Sequence, residues 1–138
     1  MATENQNHKI EKLADTALEL FKRYGIRRVT VEEICSEANI SKMTFYKYFK
    51  NKIELTKYLL NQISEKQRAE YRKIMAEQIP YPEKAQKIIQ LKHGQTYLIS
   101  QEFFDDLYKN PIPELVELLA RLREESMKEI LKDFKIAS

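Results

Sequence analysis

Ile10, Leu13, Ala14, Ala17, Leu18, Phe21 and Tyr24 recur at three- and four-residue spacing. That period puts all seven on one face of a helix over residues 8–24, and similar stripes return along most of the chain. Nothing reads as a strand, a repeat or a low-complexity segment. Two Gly and four Pro in 138 residues leave few places for the tight turns of a sheet. The expected fold class is all-α.

The residues between the stripes set the elements. Gly25 follows the first helix and suits a left-handed C-terminal cap. In "TVEE" the Thr30 hydroxyl can cap a short second helix over residues 30–37, while Glu33 reaches back to the Thr30 amide. Val31, Ile34, Cys35 and Ala38 form its inner face. Asn39 tolerates positive φ and so can make a tight turn, Ile40 can drop into the core, and Ser41 suits the N-cap of a third helix. Two short helices joined in this way make a helix-turn-helix. Asn51 then caps a long fourth helix that runs to about residue 77. Breaks at Pro80 and Pro82, and at Pro111 and Pro113, separate further helices. These are expected over residues 83–93 with Gly94 as a stop, over 101–109 capped by Ser100, and over 114–134. The expected organisation is a three-helix domain built on the helix-turn-helix at residues 1–50 and a second helical domain at residues 51–138.

The third helix carries the stretch "SKMTFYKYFKNK" at residues 41–52, in which lysines alternate with aromatics. At 100° per residue Phe45 and Phe49 share one side, with Tyr48 beside them. Met43, Tyr46, Lys47 and Lys50 share the other, and Lys42 and Thr44 flank the start. The phenylalanines belong in a core. The remaining set mixes cations with hydroxyls, which suits a duplex: Lys neutralises phosphate, Tyr and Thr bond phosphate oxygens, and side chains near the helix start reach base edges. An ordinary solvated face is the plain alternative. Charge alone does not beat it, although its distribution is the one expected for a local anionic partner. Residues 1–58 hold 11 basic and 8 acidic side chains, whereas residues 59–138 hold 13 of each, so the net +3 lies in the head. Lys52 near the start of the fourth helix opposes the helix dipole, a conflict that a phosphate bound there would resolve.

The segment "ALELFKRYGIRRVTVEEICSEANISKMTFYKYFKNKIEL" resembles the N-terminal DNA-binding domain of the tetracycline-repressor (TetR) family. The resemblance rests on Phe21 and Gly25, Thr30, Ile34 and Ala38, Ser41, and the spacing Tyr46, Phe49, Lys52, Leu55, and it covers about residues 8–58. It implies a transcriptional regulator, usually a repressor, that binds a palindromic operator on double-stranded DNA as a homodimer. Residues 1–50 would then be the DNA-binding domain and residues 51–138 a helical regulatory domain for effector binding and dimerisation, and a small molecule entering the second would release the operator. Carried over residue by residue, Thr30, Tyr46 and Lys52 would hold phosphates. Lys42, Met43, Thr44 and Lys47 would lie nearest the major-groove bases, with Ser41 at the start of their helix. Asn39 and Met43 stand where the family often has glycine, and Tyr48 where it often has histidine. Family members usually run to nine helices and close their dimer with the last two. This chain ends at "KDFKIAS", so those two are expected to be missing.

Other functional classes find less support. Asp105 and Asp106 are adjacent and point apart on a helix, and no Ser-His, Cys-His or ligand-spaced cluster stands out, so an enzyme is not expected. One cysteine, Cys35, and two isolated histidines, His8 and His93, suggest neither disulfide, metal nor cofactor. No apolar run is long enough for a membrane span, and "MATENQNHK" lacks the apolar core of a signal peptide, which together point to the cytoplasm. Tyr58, Tyr71, Tyr97, Phe103, Phe104, Tyr108 and Phe134 could line a site for an apolar or aromatic effector, but helical aromatics are more often core, and no ligand residue is assigned. The competing reading is a helical adaptor of the same fold that pairs with a partner protein without specific DNA binding.

Overall fold

A computed structural model describes the backbone of residues 2–96 and 100–137, and the side chains of residues 4–91 and 100–133. The described residues hold helices and no strand. In chain order these are α1 (Ala2–Tyr24), α2 (Val31–Ala38), α3 (Lys42–Tyr48), α4 (Lys52–Ala76), α5 (Tyr81–Thr96), α6 (Gln101–Phe104), a π-helical turn (Asp105–Lys109) and α7 (Pro113–Ala137).

Four short polar side chains start four of these helices. Thr30 Oγ1 accepts the Glu33 amide at 3.1 Å, Ser41 Oγ the Thr44 amide at 3.1 Å, Asn51 Oδ1 the Glu54 amide at 2.9 Å and Ser100 Oγ the Phe103 amide at 3.2 Å. Each satisfies an amide the helix itself leaves orphaned, a contribution of about 1 kcal/mol. The reciprocal half of the capping box is absent. The Glu33 carboxylate accepts the Thr30 hydroxyl at 3.2 Å instead of the Thr30 amide. Asn39 ends α2 in the left-handed region, at φ 57° and ψ 45°, and Gly25 follows α1 at φ 87°.

Three boundaries differ from the sequence expectation. α1 begins at Ala2, six residues before the expected start at residue 8. α5 begins at Tyr81 and passes through Gly94 to Thr96. A glycine costs a helix only about 1 kcal/mol relative to alanine, too little to end one by itself. The helix expected over residues 101–109 changes character halfway: the Asn110 amide donates to the Asp105 carbonyl at 2.8 Å, five residues back. The side chains of His93, Tyr97 and Phe134 lie outside the described residues.

One continuous apolar core joins Leu13, Ala17 and Phe21 of α1, Ile34 of α2, Phe45 of α3, and Leu55 and Leu59 of α4. Phe103, Leu107 and Leu115 from the C-terminal helices extend the same core. The head thus packs directly on the helices that follow it. Farther along, α4 and α7 are tied by charge. Glu129 accepts Arg68 Nε at 2.9 Å and Arg72 Nε at 2.7 Å, and Tyr71 donates its hydroxyl to Asp133 at 2.8 Å.

Candidate nucleic-acid interface

Aromatic packing fixes which way α3 faces. Phe45 is fully buried, its ring centroid 5.8 Å from that of Phe49, which in turn meets the Tyr58 ring of α4 edge-on at 5.6 Å. Burying a side chain of this size contributes about 1.5–3 kcal/mol, so α3 cannot rotate without losing its anchor. The opposite side is consequently held in solvent. Met43 is 85% exposed and Tyr46 51%, and Lys42, Lys47 and Lys50 are exposed with them. Tyr46 packs edge-on against Phe45 at 5.2 Å, so its ring has a fixed seat while much of the residue remains accessible.

The other expected contacts already have intramolecular partners. Thr30 is exposed, and its hydroxyl is shared between the Glu33 amide and carboxylate. Ser41 Oγ donates to Thr44 Oγ1 at 2.9 Å while accepting the Thr44 amide, so both hydroxyls belong to the α3 cap. Lys42 Nζ lies 2.9 Å from Glu32 Oε1. That bond holds the Glu32 carboxyl below its ordinary range and the Lys42 ammonium above its own. Lys47 Nζ stands 6.0 Å from the centre of the Tyr48 ring, at the outer limit of a cation–π contact. The geometry therefore brings Lys42, Met43, Tyr46 and Lys47 onto one exposed face, whereas Ser41, Thr44 and Thr30 serve first as helix caps.

Lys52, expected to clamp a phosphate, has partners within the chain. Its ammonium turns inward and donates to the Ile26, Val29 and Arg27 carbonyls at 2.7, 2.8 and 3.2 Å. All three protons are engaged by the loop between α1 and α2. The conflict between a cation and the α4 N-terminus is resolved by those carbonyl dipoles, without a phosphate. Burial pushes the Lys52 ammonium below its usual range, while the negative charges of Asp106 and Glu33 act in the opposite direction.

The same loop is held from its other side by a residue that sequence reasoning did not assign. Asp106 is buried, and its Oδ2 accepts the Ile26 and Arg27 amides at 2.8 and 3.1 Å. Its Oδ1 meets Arg27 Nη1 at 2.8 Å. The Ser100 amide adds a bond to the Lys22 carbonyl at 2.8 Å. Asp106 lies 80 residues from Ile26, and no local pattern announces such a partner. The sequence signal nearest to it is Gly25. A Cβ at that position would stand 2.9 Å from Asp106 Oδ2 and 2.9 Å from Glu102 Cβ.

The buried side of α3, the left-handed turn at Asn39 and the exposed basic and aromatic side form a helix-turn-helix with its second helix presented to solvent. The family of bacterial regulatory proteins called the tetR family matches residues 13–59. Among curated proteins, the chain is similar to the uncharacterized HTH-type transcriptional regulator YerO of Bacillus subtilis (strain 168). The two are 44% identical over 46 residues, 33% of this chain and 16% of that protein. It is also similar to the uncharacterized HTH-type transcriptional regulator YvkB of the same organism, at 39% identity over 54 residues, 39% of this chain and 29% of that protein. The chain thus covers less than a third of the length of either relative. Residues 13–59 are a DNA-binding domain of the TetR family of bacterial regulatory proteins.

Proposed function

We propose that this chain is a sequence-specific transcription regulator that lays α3 (Lys42–Tyr48) in the major groove of an operator and acts as a repressor. The observation that carries this reading is the two-sidedness of α3: Phe45 is locked in the core, while Met43, Tyr46 and the lysines stand in solvent. In this reading Lys42, Met43 and Lys47 approach base edges, with the Met43 side chain suited to a thymine methyl, and Tyr46 bonds a flanking phosphate. Thr30, Ser41 and Thr44 contact the duplex only through hydroxyl valences left over from capping. Lys52 shapes the head by holding its loop.

A homodimer would place two heads about one DNA turn apart on a palindromic site. Val116, Ala120, Met127 and Leu131 lie on one face of α7 and are exposed, and a pairing of two chains through that face would bury them. A small apolar or aromatic effector would act on the helices beyond residue 51 and alter the head through the core they share. The regulator would work in the cytoplasm. Among the described residues no helix is long and apolar enough to cross a membrane.

The test is selection of binding sites from random duplex DNA with this chain. A palindromic winner is expected. A single half-site would remove the pre-formed dimer from the reading and keep the DNA contact. Absence of any enrichment would favour the helical adaptor.

A further inference from the structure

Two carboxylates occupy the first turn of α2, Glu32 and Glu33, beside the start of the recognition helix. Each is joined to a group otherwise suited to a DNA phosphate: Glu33 accepts the Thr30 hydroxyl at 3.2 Å, and Glu32 accepts the Lys42 ammonium at 2.9 Å. The second link crosses from α2 to α3 and engages a full charge on the first residue of α3. Both side chains of that ion pair are more than half exposed, so the pair lies on the surface and can open without disturbing the core.

We propose that Glu32 is a specificity-determining residue, its carboxylate standing in for a DNA phosphate so that Lys42 is withheld from generic backbone contacts. The inference rests on the DNA-binding reading above. A lysine that neutralises a phosphate adds affinity that is blind to sequence, because it releases a condensed counterion from any duplex. Lys42 must first leave Glu32, and Glu32 is then an unpaired negative charge close to the DNA. That exchange lowers the gain wherever Lys42 must turn to a phosphate, as on generic DNA. On the selected site Lys42 keeps its bond to Glu32 and turns one of its two remaining protons to a base edge, so no such exchange takes place. Glu32 thereby widens the ratio between specific and non-specific affinity, the quantity that matters against a genome of competing sites.

The experiment measures binding of the full chain to two duplexes over a salt series: the site recovered by selection, and the same bases scrambled. Glu32→Gln should raise affinity for the scrambled duplex by about five- to tenfold near 0.1 M salt and steepen its salt slope by about 0.9, the effect of one further phosphate contact. The selected site should gain less, so the ratio falls. In a Lys42→Gln background the same Glu32→Gln change should leave the scrambled affinity almost unaltered. An equal gain with and without Lys42 would overturn the proposal, since it would reflect only the removal of a negative charge. So would no gain, or an equal gain on both duplexes. Wild-type chain that binds neither duplex would instead sink the DNA-binding reading, and this inference with it.

Discussion

The Lys52 ammonium and the Asp106 carboxylate grip the same loop, one by its carbonyls and the other by its amides. Lys52 binds the Ile26, Arg27 and Val29 oxygens from the start of α4, and Asp106 binds the Ile26 and Arg27 nitrogens from the π-helical turn. Ile26 is therefore held at both of its peptide groups. The loop leads directly into Thr30 and α2, so its conformation sets how the helix-turn-helix leaves α1. The clamp is made of complementary charges that lie close enough for Asp106 to favour the charged form of Lys52.

Replacing Lys52 by methionine removes one jaw. The Ile26 and Val29 carbonyls would lose a charged donor in a part-buried setting, which should cost about 1–3 kcal/mol in urea unfolding. The salt slope of DNA binding should stay the same. A slope shallower by about 0.9 with unaltered stability would return Lys52 to a phosphate contact.

Gly25→Ala tests the other jaw. The residue sits at φ 87°, and the new Cβ would press on Asp106 Oδ2 and Glu102. The expected loss is more than about 1 kcal/mol, since strain and crowding both oppose the alanine. Asp106→Ala should cost about 1–3 kcal/mol by orphaning the buried Ile26 amide. Measured together, the two changes should cost less than their sum, because removing Asp106 also removes the atom the methyl strikes. Strict additivity in thermal melts would show that the crowding comes from Glu102 alone.

Tyr46 and Lys47 are adjacent on the exposed face of α3, and opposite kinds of loss are expected from them. Tyr46→Phe keeps the ring against Phe45 and deletes the hydroxyl. Affinity should fall about three- to tenfold on selected and scrambled duplexes alike, as for a backbone contact. Lys47→Ala should weaken the selected site by about tenfold more than the scrambled one, as for a base reader. Equal loss on both duplexes for Lys47→Ala would remove it from that role.

The α4–α7 network should make stability depend on pH at both ends. Burial pushes the Glu129 carboxyl up, but its bonds to Arg68 and Arg72 outweigh that and leave it below the ordinary value of 4.5. A carboxyl whose pKa is depressed in the folded state stabilises the fold above its ordinary range and loses that contribution as pH falls through the folded value. The stability difference between wild type and Glu129→Gln should thus be constant from pH 7 to about pH 5 and shrink below it. Burial, and then the bond to Asp133, push the Tyr71 phenol above its ordinary value of 10.0. The sign is reversed: its contribution is full below that value and fades as pH rises above it. A Tyr71→Phe variant whose deficit is unchanged at high pH would contradict the assignment.

The local elements were legible because their causes are local. Thr30, Ser41, Asn51 and Ser100 cap the helices they precede in sequence, and Asn39 makes its turn alone. The two faces of α3 follow from 100° per residue, and Phe45 and Met43 lie where that period puts them. Gly94 misled because a single glycine weakens a helix without ending it when its neighbours continue. Lys52 was legible only in part. A lysine near a helix start announces that an electronegative partner is needed, and says nothing of whether the partner is a phosphate or a carbonyl.

By itself the sequence determined the all-helical fold, the helix-turn-helix and the face it presents, since periodicity and capping act over three or four residues. Only the tertiary structure decided which charges remain available to a partner. It turned Lys52 onto the Ile26 loop, brought Asp106 to that loop from 80 residues away and set Glu32 against Lys42. Those choices depend on the relative placement of whole helices, which is fixed by the shared core. A charge commits to whichever opposite partner that packing brings within about 3 Å, because at that distance a charge-assisted hydrogen bond outweighs the weaker pull of more remote groups.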